Sequence, residues 1–71
     1  MIVKGERFRV INDCLGHFKK GDIVISIEDD NAPYCVYEKD YEDEKGIEDY
    51  EYDKYFPMSA NELEKIESED K

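Results

Sequence analysis

Phe18-Lys19-Lys20-Gly21-Asp22-Ile23-Val24-Ile25-Ser26-Ile27 sets a charged turn directly against the most regular apolar alternation in the chain. Ile23, Ile25 and Ile27 fall on one side of an extended backbone and Val24 and Ser26 on the other. The run therefore predicts a half-buried strand with its triple-isoleucine face turned inward. Gly21 supplies the corner before it. Beyond it, Glu28-Asp29-Asp30-Asn31-Ala32-Pro33 is a turn cluster whose Asp and Asn side chains suit local bonds to the backbone. Tyr34-Cys35-Val36-Tyr37 then resumes the strand pattern, which predicts an antiparallel hairpin of 22–28 with 34–38.

On the amino-terminal side, Arg7-Phe8-Arg9-Val10-Ile11 alternates with Phe8 and Val10 on one face and Arg7 and Arg9 on the other, a first strand with a polar outer side. Cys14-Leu15-Gly16-His17-Phe18 is too short for a helix and reads as a loop with Leu15 and Phe18 tucked inward.

Lys39 to Asp53 reads KDYEDEKGIEDYEYD, with eight acidic residues and Tyr41, Ile47, Tyr50 and Tyr52 interspersed. It reads either as an extended hairpin tip or as a mobile loop, with a strand starting near Tyr50, where Tyr50 and Tyr52 share a parity, and running to Phe56. Pro57 ends that strand, and Met58-Ser59-Ala60-Asn61 predicts a single helical turn. Glu62-Leu63-Glu64-Lys65-Ile66 fits either a helix or a last strand. Residues 67–71 are an acidic tail expected to fray, which leaves 1–66 as one domain.

The chain has 71 residues, 39% apolar and 42% charged, with no Trp, six Tyr and three Phe, so tyrosines must supply much of a small core. The net charge of −10 is uneven. Residues 1–36 carry five basic and six acidic side chains, whereas residues 37–71 carry five and fourteen. Such a surface repels nucleic acid and anionic lipid and attracts basic proteins. No leader-like or membrane-spanning run is present, which predicts a cytoplasmic chain with Cys14 and Cys35 as reduced thiols.

Three local features resemble the Src-homology-3 (SH3) barrel. Phe18-Lys19-Lys20-Gly21-Asp22-Ile23 is similar to the turn that opens that family's second strand. Tyr55-Phe56-Pro57-Met58-Ser59-Ala60-Asn61 resembles the segment in which a proline precedes a short helical turn. Glu62 to Ile66 resembles the closing strand. The resemblance implies an all-β fold: a small SH3-like barrel of about five antiparallel strands with one helical turn near 58–61. The short loops also resemble those of small bacterial and phage adaptor proteins. The family's aromatic first-strand motif is replaced here by Arg7 to Ile11, and the tryptophan expected near Ala32 or Pro33 is missing, so of a proline-peptide groove only Tyr34, Tyr55 and Pro57 remain.

Catalytic chemistry finds little support. One His and two Cys match no closed zinc site, His17 beside Cys14 has no deep pocket to work in, and the four glycines are isolated. An EF-hand reading with Gly46 at loop position six puts Tyr41 and Tyr52 where carboxylates are required. No cofactor or metal is expected.

The acidic tract is the stronger feature. On an extended strand, alternate carboxylates repeat about every 7 Å, comparable with phosphates along a nucleic-acid strand. Glu42, Glu44, Glu48, Asp49, Glu51 and Asp53 would be the phosphate surrogates, with Tyr41, Tyr50 and Tyr52 as flat contact area. The competing reading is a solvated segment whose charge serves solubility. Arg7, Arg9, Lys19 and Lys20 form too small a basic patch for nucleic acid and read as local salt partners. The sequence thus predicts a non-enzymatic interaction module for a basic, nucleic-acid-handling protein. The alternatives are an adaptor using the Tyr34, Tyr55 and Pro57 groove, and a weak nucleic-acid binder.

Overall fold

A computed structural model describes residues 1–12 and 17–66. Five short strands, β1 (Arg7–Val10), β2 (Ile23–Ser26), β3 (Tyr34–Tyr37), β4 (Phe56–Pro57) and β5 (Leu63–Lys65), form one antiparallel sheet in the order β4-β3-β2-β1-β5. The helical content of the described residues is limited to short 3-10 turns.

The expected β2–β3 hairpin is present, with Ile25 opposite Val36 and Ser26 opposite Cys35. The turn before it also forms as the sequence implies. The Asp22 N–H donates to the Lys19 carbonyl at 2.9 Å, and Gly21 at the third position has φ of 96°. That left-handed backbone is costly for any residue with a Cβ. The Asp22 carboxylate locks the turn by accepting the Lys19 N–H at 2.8 Å.

The inward face of β2 differs from the expectation. Register pairs Phe8 with Val24 and Arg7 with Ile25, so the Phe8 and Val10 face of β1 is the Val24 face of β2. The larger core lies there: Phe8, Val10, Phe18, Val24, Cys35, Met58 and Leu63. Ile25 and Ile27 are buried as well, but on the opposite side, where Ile27 packs in a second cluster with Val36 and Tyr50. Residues 24–27 are all buried, so β2 is a strand covered on both faces. Ser26, inside this layer, meets its polar needs locally by donating to the Glu28 carbonyl at 2.6 Å.

The cover over the second face is the acidic tract. Residues 39–53 form neither a hairpin nor a bare loop. Three 3-10 turns, Glu38–Asp40, Ile47–Asp49 and Tyr52–Lys54, fold the segment against the sheet, and Tyr41, Ile47 and Tyr55 pack on the Ile27, Val36 and Tyr50 cluster. The expected strand from Tyr50 shrinks to Phe56–Pro57, an edge position at which proline's missing N–H is tolerated. Pro57 thus lies within that strand.

The helical turn expected at 58–61 is a 3-10 turn at Ala60–Glu62, where the Ser59 N–H donates to the Glu62 carboxylate at 3.0 Å. Residues 63–65 are strand. β4 and β5 do not pair with each other, so the sheet is open where a closed barrel was expected. Leu15, Cys14 and the tail at 67–71 lie outside the described residues.

Candidate functional site

The β3–β4 edge and the turn beside it gather aromatic rings. Tyr34 opens β3 opposite Pro57 of β4, and Tyr55 packs edge-on against Tyr34 with centroids 4.9 Å apart at 75°. Tyr52, in the Tyr52–Lys54 turn, stands at 78° to Tyr55 with centroids 6.2 Å apart. His17 stacks on Phe56 at 5.0 Å and 11°. Together with Asp53 and Pro57 these rings line an open groove of roughly 470 Å³. The three residues expected to remain of a groove, Tyr34, Tyr55 and Pro57, are thus brought together. His17, Phe56, Tyr52 and Asp53 join them in the structure without being part of the expected groove. The signal was present: Tyr52, Tyr55 and Phe56 crowd one short stretch, and Tyr52 and Tyr55 are three apart, the period that puts 3-10 side chains on one face.

The acidic set is less uniform than its sequence suggests. The regular carboxylate repeat assumes an extended strand, and Ile47–Asp49 and Tyr52–Lys54 are instead 3-10 turns. Two members have partners within the cover. Glu42 lies 3.5 Å from the Lys45 ammonium, and the Asp49 carboxylate accepts the Gly46 N–H at 3.0 Å. Glu44, Glu48, Glu51 and Asp53 are exposed.

The tyrosines divide in the same way. Tyr50, expected as displayed contact area, is only 8% exposed and belongs to the core. Tyr41 is half-buried, its hydroxyl donating to Asp43 at 3.0 Å. Partial burial first, and then the Asp43 carboxylate, push this phenol up to about 12. Tyr52 is 86% exposed.

The basic side chains behave as local partners in part. Arg7 pairs with Glu38 at 3.0 Å and Arg9 with Glu64 at 3.1 Å. Cys35 is a free thiol buried in the core and pushed up to about 12, chiefly by burial, which makes it a poor nucleophile. Cys14 lies outside the described residues. Among the described residues no three His, Cys, Asp or Glu side chains converge as metal ligands, and no helix is long and apolar enough to cross a membrane.

Compared with models of protein families, with curated proteins and with solved structures, the chain matches none.

Proposed function

We propose that this chain is a non-enzymatic, cytoplasmic interaction module built on an SH3-like arrangement of strands, and that it takes a basic segment of a partner protein against its aromatic groove. The strand order and the 3-10 turn between β4 and β5 support the fold reading. The observation that carries the functional reading is the placement of an open, aromatic-lined groove next to Asp53 on a chain of net charge −10. The field draws in a cationic segment, and the rings provide contact area that a bare acidic surface lacks.

This reading joins the acidic surface and the groove, which the sequence offers as alternatives. Charge steering by Glu44, Glu48 and Glu51 takes the place of phosphate mimicry, since steering needs only net field and no regular repeat. Direct nucleic-acid binding is disfavoured because Arg7 and Arg9 are spent on Glu38 and Glu64.

Titration with basic peptides at low and high ionic strength tests the proposal. Association that weakens with salt, and weakens again when Glu44, Glu48 and Glu51 are reversed to lysine, is the expected result. Association indifferent to salt and to the reversal would overturn it.

A further inference from the structure

Two of the chain's tyrosine faces already hold cations. The Lys39 ammonium lies 5.6 Å from the centroid of Tyr37, and that of Lys45 lies 5.1 Å from the centroid of Tyr50. Both distances fall within the range in which a ring quadrupole attracts a positive charge. The groove tyrosines differ. Among the described residues no lysine or arginine of the chain sits over Tyr34, Tyr52 or Tyr55, although these three stand nearly perpendicular to one another in sequence and share the groove with Asp53.

Perpendicular rings present faces on more than one side of the same space. A planar cation entering it would meet the π-face of one ring and the edge or hydroxyl of the next, with Asp53 among the residues that line the same space. A compact ammonium keeps its water more strongly than a guanidinium does, and it cannot stack, so this geometry favours the delocalised planar ion.

We infer that the corner formed by Tyr52, Tyr55 and Asp53 binds the guanidinium of an arginine side chain in the partner protein. The inference rests on the proposed binding of a basic segment and names the side chain recognised. The sign and size of the chain's charge argue for a cationic occupant, and Asp53 within the groove argues for this location.

Tyr52 is the residue to vary, because at 86% exposed its ring can be removed with little effect on folding, whereas Tyr34 and Tyr55 also pack on the second cluster. The probe is a capped glycine-serine nonapeptide with two lysines and one central arginine, followed by shifts of the tyrosine ring resonances. Two companion peptides carry citrulline or lysine in place of the arginine.

The arginine peptide should bind at least about tenfold more tightly than the citrulline peptide and several-fold more tightly than the lysine peptide. Tyr52→Ala and Asp53→Asn should each weaken it several-fold, and Tyr52→Phe should leave it within about twofold, since the ring is kept. Equal affinity for the arginine and lysine peptides, unchanged by Tyr52→Ala, would overturn the inference and leave charge-steered association standing. Absence of binding by all three peptides, even at low salt, would overturn it together with the function on which it rests.

Discussion

Tyr50 holds Glu42 by both of its backbone polar groups: the phenol oxygen accepts the Glu42 N–H at 2.9 Å and donates to the Glu42 carbonyl at 3.2 Å. A single buried ring thereby closes the acidic segment on itself and on the sheet. The residues between them, 43–49, contain the Ile47–Asp49 turn, so the clamp fixes the cover that encloses Ile27 and Val36.

Tyr50→Phe keeps the ring and removes both bonds, leaving the Glu42 N–H and C=O without their phenol partner. The expected cost is about 1–2 kcal/mol, read from the midpoint of urea unfolding. Amide exchange should accelerate across 42–50 more than in β1 and β2. Uniform acceleration across the whole sheet would mean that the cover and the strands open only together.

The two faces of β2 predict unequal sensitivities. Val24 is 0% exposed in the larger cluster, whereas Ile23 is half-buried at the start of the strand. Val24→Ala should cost about 2 kcal/mol and Ile23→Ala under about 1 kcal/mol, even though isoleucine loses more atoms. The reverse order in a denaturant titration would restore the isoleucine face as the principal core.

Alkaline pH should destabilise the chain early. Burial raises Cys35 from its ordinary 9.0 to about 12, and burial with Asp43 raises Tyr41 from 10.0 to about 12. Tyr37 is raised as well, first by burial and then by Asp22. Each group binds its proton more firmly when folded. From the ordinary value upward the unfolded chain therefore sheds protons that the folded chain keeps, and stability declines. It should be fully present below about pH 9 and fall progressively toward pH 12. Cys35→Ala should move the start of the decline nearer pH 10, measured as denaturation midpoints across the pH series. A decline beginning at the same pH in both proteins would contradict the assignment to Cys35.

Much of the strand layer is readable in the chain. The alternation at Arg7 to Val10, the Gly21 corner and the hairpin loop each follow from local rules, and all three are found. The orientation of β2 is harder, because Val24 is apolar and Ser26 is small and uncharged, so the side opposite the isoleucines carries no strong polar mark. Only pairing with β1, where Phe8 and Val10 are unambiguous, selects the Val24 face. The acidic cover is least legible. Its charge density resembles that of solvated chain, and Tyr50 and Tyr52 share a strand parity that misleads. The informative spacing is three, Ile47 to Tyr50 and Tyr52 to Tyr55, which matches 3-10 geometry. The groove is half legible for the same reason: Tyr34, Tyr55 and Pro57 could be named, but Tyr52 and Asp53 sit in a turn that strand periodicity does not see, and His17 joins by stacking on Phe56 across a long sequence separation.

Tyr34 and Tyr55 serve at once as groove wall and as part of the packing over Ile27 and Val36. A ligand lying against those rings, as proposed, would therefore also brace the smaller of the two apolar clusters. Occupancy should raise the melting temperature, and loosening the layer at a distance, through Tyr50, should cost affinity by the same reciprocity. On the proposed function, recognition and structural integrity would draw on the same two rings.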